Sequence, residues 1–329
     1  MSSETSYKKL GNSDLEVSKL AFGTYRMISK SEPLEAIELI KKAFRSGINF
    51  FATSDNYHSE MLVGKAISDL PREKVVIATM TGLPITQYHK FEVSTSSKRI
   101  NEQVDKSRKI LGVDTIDLYQ THAYDQNTPM LEVVSTMSEL VEKKKIRYYG
   151  FSNYDSGNII EAIGICKENG FQQPISLQNH YNLIGWQSED AIITAQKSAM
   201  SILAYSPLYN GYLTRGNVRA DKPPKGRPSE KKMMELENEF KAELRKLDDL
   251  ALDYVGNMQQ LALAWLMGKE NTIPMLGAYT QEHLDDLLGS LKIKIEKEDL
   301  DFIEKIRDRL HEIYVEILKT TSGRGQDNG

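Results

Sequence analysis

The chain has 329 residues, 40% of them hydrophobic, enough to bury a large core either in one α/β barrel or in two smaller domains. A formal net charge of −4 supplies no overall pull toward nucleic acid or acidic membranes, and no run of about 18 apolar residues exists to span a bilayer. One cysteine, Cys166, excludes an internal disulfide; with a polar start lacking the apolar stretch of a secretory signal, it leads us to expect a soluble cytoplasmic protein.

Short β-rich runs fall at 20–24, 48–51, 75–79, 116–121, 146–151, 175–178, 202–205 and 272–275. Between them lie amphipathic helical stretches at 33–45, 60–70, 96–111, 131–144, 156–168 and 189–198. Pro33 sits where a first helical turn tolerates proline, and Gly47, Gly112 and Gly170 lie where helices stop. Strands alternating with helices predict a closed parallel (β/α)8 TIM barrel, a single domain over 1–319. A doubly wound sheet would want a Gly-rich turn after its first strand, and Phe22-Gly-Thr-Tyr-Arg-Met lacks the G-x-G-x-x-G pattern. The one long irregular segment, 208–229, carries Arg215, Arg219, Lys222, Lys225 and Arg227, and its place after the seventh strand puts it on the face where barrel loops carry function. A charged helix over 230–254, a terminal helix over 297–318 and a disordered tail over 320–329 complete the expectation.

Several short motifs recur in a telling order. Gly47-Ile-Asn-Phe-Phe-Ala-Thr-Ser-Asp-Asn-Tyr57 resembles the second strand and loop of the aldo-keto reductases, where the strand ends in Asp-Thr-Ala and a Tyr follows five residues after the Asp. Val75-Val-Ile-Ala-Thr-Met80 is similar to that family's strand ending in Thr-Lys, and Ile116-Asp-Leu-Tyr-Gln-Thr-His122 to its strand ending before a His. Gly150-Phe-Ser-Asn153, Leu177-Gln-Asn-His-Tyr-Asn-Leu183 and Ala204-Tyr-Ser-Pro-Leu208 continue the likeness, which runs from Leu10 to about Leu288.

The resemblance implies a nicotinamide cofactor, NADP(H) or NAD(H), extended across the C-terminal face of the barrel, and a catalytic set of Tyr57 and His122. Ala52 and Met80 stand where the family has its Asp and Lys. It further implies a cofactor shell of Gly23, Thr24, Ser152, Asn153, Gln178, Tyr205, Ser206, Leu208, Gly277, Tyr279, His283 and Asp286. Read on their own chemistry, Ser152, Asn153 and Gln178 offer the donors and acceptors that a carboxamide needs, and Tyr205 a flat ring for a planar cofactor. No Arg or Lys lies between Gly277 and Ser290 to meet a 2′-phosphate, although Arg215 or Arg227 of the long loop could substitute.

In the family, the Lys sharpens the Tyr as an acid and is itself ion-paired with the Asp. With Met80 there, Tyr57 keeps a phenol's ordinary weak acidity, putting at risk much of the roughly 10²–10⁴-fold of general acid catalysis. Asp55, His58 and Lys74, the nearest ionisable neighbours, read as surface residues. No metal cluster, nucleophile elbow, P-loop or nucleic-acid patch is expected. Three functions follow. One is an oxidoreductase acting on a small-molecule carbonyl or polar alcohol, with sugar-like compounds a guess and substrate contacts expected from Arg26, Met27, His89, Tyr124 and Tyr209. A second is a lyase or isomerase using the same pocket without net redox turnover, and a third a non-catalytic nucleotide-binding protein.

Overall fold

The computed structural model describes residues 7–25, 27–83, 93–185, 188–214 and 237–322, with backbone alone at 237–238 and 317–322. Eight parallel strands close into a barrel, neighbour to neighbour in the order β10-β3-β4-β5-β6-β7-β8-β9. These are β3 (Ala21–Gly23), β4 (Phe50–Ala52), β5 (Val76–Thr81), β6 (Ile116–Thr121), β7 (Ile146–Ser152), β8 (Ser176–His180), β9 (Ser201–Tyr205) and β10 (Thr272–Leu276). All eight lie on the runs expected from the sequence, with ends moved by up to two residues. An antiparallel pair, β1 (Tyr7–Lys9) and β2 (Glu16–Ser18), precedes them.

The barrel interior is filled by alternate residues of its strands, as a pleat of period two requires. Phe50, Ala52, Val76, Ala78, Leu118, Leu203 and Ile273 pack there with Leu10, Leu15 and Val17 of the β1–β2 hairpin. The hairpin covers the end where the strands begin. Gly11, at φ +55°, donates its N–H to Ser201 Oγ at 2.7 Å, and a Cβ on it would lie 2.1 Å from the Ile175 carbonyl oxygen. Only glycine meets both demands.

Seven helices accompany the strands in order: α1 (Met27–Lys30), α2 (Pro33–Arg45), α3 (Glu60–Ile67), α4 (Ser97–Leu111), α5 (Met130–Glu142), α6 (Ser156–Asn169) and α7 (Glu189–Lys197). Their ends follow local chemistry. Ser96 Oγ accepts from the Arg99 N–H to start α4, Asp155 and Asn158 form a capping box for α6, and Gly112 and Gly170 close those helices in the left-handed conformation. Four more follow: α8 (Glu237–Asp253), α9 (Met258–Gly268), α10 (Gln281–Leu288) and α11 (Lys297–Ser322). The last continues through 320–322, residues the sequence reading assigned to a tail; 323–329, 215–229 and 230–236 lie outside the described residues.

The chain divides into two compact units, one of residues 1–179, 187–205 and 270–284, which holds the barrel, and one of 180–186, 206–269 and 285–329. In the second, α8 packs on α11, and Trp265 of α9 is fully buried with its indole N–H donating to Glu304 at 2.7 Å. Among the described residues no helix is long and apolar enough to cross a membrane.

Candidate active site

Strands β4, β5 and β6 are consecutive in the barrel, and their C-terminal ends bring four positions into one neighbourhood. Ala52 ends β4 opposite Ala78, and Met80 lies two residues beyond Ala78 on the same inward face of β5. Both are almost wholly buried. After Ala52 the chain turns through Thr53 and Ser54 into a 3-10 turn over Asp55–Tyr57. The Tyr57 ring meets His122 edge to face at 5.6 Å and the exposed Tyr25 at 5.0 Å. No described residue hydrogen-bonds its hydroxyl. Burial foremost, then the Tyr25 and Tyr205 phenols and the Asp55 carboxyl, push the Tyr57 pKa well above that of an ordinary phenol.

His122 is the first residue past β6. Its N–H donates to the Thr81 carbonyl at 2.7 Å, and its carbonyl accepts from Asn153 Nδ2 at 2.8 Å, so the backbone is fixed on both sides. The ring Nδ1 lies 3.1 Å from Ser54 Oγ. Burial lowers the imidazole to about 4, which leaves it neutral at pH 7.

Asp55 corrects the sequence reading. Like Lys74 and His58 it was expected at the surface; those two are exposed, but the Asp55 side chain is fully buried. The 3-10 turn folds it back against β5, where its carboxylate accepts from Thr81 Oγ1 at 3.2 Å and from Arg99 of α4 at 3.3 Å. Burial, reinforced by Glu60 and opposed by Arg99, raises it to about 6. Glu60 is itself buried and accepts from Thr79 at 2.7 Å. Ser54 and Arg99 are the site neighbours that sequence reasoning missed, and Asp55 is the one it named but placed at the surface.

The next strand ends carry the expected carboxamide shell. Asn153, just past β7 and at φ 59°, donates through Nδ2 to Ser152 Oγ at 3.0 Å and accepts at Oδ1 from the Tyr205 hydroxyl at 2.9 Å. Ser152 Oγ donates to the Gln178 carbonyl at 2.9 Å. Gln178 is different: its side-chain Oε1 is buried with no hydrogen-bond partner among the described residues. A buried amide oxygen left unpaired costs roughly 1–3 kcal/mol, and a carboxamide N–H is the donor it lacks. The shell therefore fits the nicotinamide head.

Other expected residues are placed less uniformly. Gly23 ends β3, where a Cβ would lie 3.2 Å from the Leu276 carbonyl oxygen. Thr24 is fully buried, its hydroxyl tied to the Ala52 carbonyl and to Ser59. Gly277 is exposed, a Cβ on it would lie 3.8 Å from the Tyr279 hydroxyl, and the Tyr279 and His283 rings are 6.5 Å apart. Ser206, at φ 51°, accepts at its carbonyl from Asn182, and the Leu208 carbonyl caps the turn through Gly211. The Asp286 carboxylate is engaged by Asn257, Gln259 and Gln260 at the start of α9. Arg215 and Arg227 lie outside the described residues, as do Arg26 and His89. Of the remaining substrate-loop residues, Met27 and Tyr209 are buried and Tyr124 is partly exposed.

A profile of the aldo/keto reductase family matches residues 19–308. The chain is 32% identical to a probable aldo-keto reductase of Glycine max, over 89% of this chain and 86% of that one. It is 30% identical to a putative aryl-alcohol dehydrogenase of Schizosaccharomyces pombe, over 91% and 95%, and 28% identical to an NADH-specific methylglyoxal reductase of Escherichia coli, over 92% and 98%. With the motifs in family order on a closed eight-stranded barrel, the chain belongs to the aldo/keto reductase family of oxidoreductases.

Proposed function

We propose that this protein transfers a hydride between a nicotinamide cofactor and a small carbonyl or alcohol, with His122 and Tyr57 as the groups at the reacting oxygen. The observation that carries the reading is the orphaned Gln178 Oε1, set beside Ser152, Asn153 and Tyr205. The cofactor supplies the hydride acceptor or donor. This chain supplies the rest: Gln178 and Asn153 to orient the carboxamide, Tyr205 to offer a ring face, and His122 to hold or release a proton. Tyr57, whose acidity burial weakens and no cation restores, serves better as a wall and hydrogen-bond partner than as the acid.

NAD(H) suits this chain better than NADP(H). The stretch from Gly277 to Ser290 holds Glu282, Asp285 and Asp286 and no Lys or Arg, so a 2′-phosphate there would meet like charge. Titration of cofactor fluorescence tests both points. NADH is expected to bind the native chain at least about tenfold more tightly than NADPH, and Gln178→Ala to weaken NADH about tenfold, the loss of about 1.4 kcal/mol. A native chain that binds neither nucleotide overturns the proposal. Turnover is then read over a panel of aryl alcohols and 2-oxoaldehydes, compound classes suggested by the names of the relatives. Product formed with no net change in the cofactor would instead indicate isomerase or lyase chemistry.

A further inference from the structure

The family's strand ends in Asp-Thr-Ala, where this chain has Ala52-Thr53-Ser54, so the chain that lost a carboxylate also gained a hydroxyl two residues on. That hydroxyl is buried against the His122 ring and the Asp55 carboxyl. We infer that Ser54 is a positioning residue that holds His122 as its Nδ1–H tautomer and so presents Nε2 as a bare proton acceptor for an alcohol substrate. The inference rests on the oxidoreductase reading for its chemistry, but the tautomer itself does not depend on it.

The crowd of acceptors around the hydroxyl favours the ring as donor. Around Ser54 Oγ stand Asn56 Oδ1 at 2.8 Å, His122 Nδ1 at 3.1 Å, Asp55 Oδ1 at 3.3 Å and the Met80 carbonyl oxygen at 3.3 Å. A serine hydroxyl has one hydrogen to give and two lone pairs to receive. If Nδ1 were bare, four acceptors would compete for that one hydrogen and three would be left facing the oxygen unmet; with Nδ1 protonated, the ring supplies a second hydrogen and the serine's own goes to an oxygen, of which Asn56 Oδ1 is the nearest. Were the Asn56 amide turned over, the Met80 carbonyl, which cannot donate in its place, and the Asp55 carboxylate in its ionised form would still claim it. The imidazole must then supply the hydrogen across the 3.1 Å contact, because two facing lone pairs would repel. With Nδ1 protonated, the neutral ring carries its free lone pair on Nε2. No described residue hydrogen-bonds Nε2, and His122 is held in place by its backbone bonds to Thr81 and Asn153.

The step balances with the oxidised nicotinamide as hydride acceptor. The alcohol O–H bond breaks and its proton goes to His122 Nε2. The carbinol C–H bond breaks, and its electron pair leaves with the hydrogen as hydride. The carbonyl forms, and the imidazolium returns its proton to water. During this step the positive ring keeps its Nδ1–H bond to Ser54, whose oxygen is backed by the carboxyl of Asp55. A substitution of function follows from a substitution of residues: the proton site has moved from the phenol that the family's Lys would activate to an imidazole oriented from the end of β4, two strands away.

Heteronuclear NMR of 15N-histidine-labelled protein, free of cofactor, tests the tautomer. Substitution His122→Asn assigns the resonance. The native chain is expected to show Nδ1 protonated and Nε2 bare, and Ser54→Ala to shift His122 to the Nε2–H form that free imidazole side chains favour. Ser54→Thr, which keeps a hydroxyl, is expected to restore the native pattern. Because the family carries Ala at this position, Ser54→Ala should fold, which its melting curve checks. Native protein showing Nε2–H overturns the inference. Kinetics test the role: Ser54→Ala should lower kcat for alcohol oxidation by about 10²-fold with KM within about twofold, and Ser54→Thr should recover most of it. Unchanged kcat despite a switched tautomer would also overturn the positioning role. A native chain inactive on every alcohol would sink the oxidoreductase reading and with it that role, leaving the NMR result to decide the tautomer.

Discussion

Ala52 and Met80 are two small departures with one electrostatic meaning. They lie on adjacent strands, both facing the barrel interior, Ala52 in the cluster with Phe50, Ala78 and Leu118. An ammonium or carboxylate placed alone at either position would be a buried, unpaired charge costing roughly 3–5 kcal/mol, whereas the pair together largely compensates itself. We therefore expect Met80→Lys and Ala52→Asp each to lower the urea midpoint markedly, and the double substitution to recover most of the loss. A double variant less stable than both singles would refute the pairing. Restored carbonyl reduction in the double variant, absent from the native chain, would show that Tyr57 lacks only its activating cation. These three positions and His122 were legible in the sequence because each sits in a short motif fixed to a strand end. The contacts that reorganise the site were not: Ser54 meets His122 across 68 positions and Asp55 meets Arg99 across 44, and nothing local marks either partner. Asp55 looked like a loop residue because a 3-10 turn leaves no periodic signature by which burial could be read.

Elements carry the site by their close approach. Gly150 lies in β7 two residues before Ser152, and a Cβ there would fall 2.1 Å from Ser176 Oγ and 2.6 Å from the Ser176 carbonyl oxygen in β8. Since Ser152 pairs with Gln178 across those strands, spreading them displaces the carboxamide shell itself. Gly150→Ala is expected to cost about 1–3 kcal/mol or more by overpacking and to weaken nucleotide binding together with stability. Gly164→Ala in α6, where nothing lies within 4 Å of the new methyl, is the control and should stabilise by about 0.5–1 kcal/mol. Urea denaturation that moves both variants in the same direction would contradict this assignment. The barrel strands and six of its helices were readable because apolar runs and amphipathic stripes alternate cleanly between glycine stops. Helix α9 was not, since Leu261–Leu266 is buried almost without interruption and presents no polar face to set a period. The β1–β2 pair escaped for the opposite reason: three-residue strands with mostly polar sequence give too little alternation to register.

At the scale of the whole molecule, buried imidazoles and buried carboxyls set opposing slopes in acid. His122 and His180 are each lowered to about 4 by burial, so between pH 6.5 and 4 the unfolded chain binds protons that the folded chain refuses. Their contribution is fully present above about 6.5 and is lost as pH falls toward 4. Asp55 acts in the reverse sense. Raised to about 6, it stays protonated in the fold where the unfolded carboxyl ionises, so its contribution is present near pH 4 and is lost as pH rises through 6. Each of these shifts is worth on the order of 3 kcal/mol at most, and the two imidazoles together outweigh Asp55, which Glu60, also raised by burial, supports in the opposing sense. Stability measured by urea unfolding should therefore fall by a few kcal/mol from pH 7 to pH 4.5. In His122→Gln with His180→Gln, where neither side chain titrates, the slope should flatten or change sign, because Asp55 and the likewise raised Glu60 then dominate. Arg99→Leu should steepen the opposite arm, since removing the cation that opposes burial lifts the Asp55 pKa further and makes the fold less stable as pH climbs past 6. A native chain equally stable at pH 7 and pH 4.5, or a double histidine variant with the native slope, would show that these side chains are not held neutral, and Nε2 of His122 would then be no free acceptor at working pH.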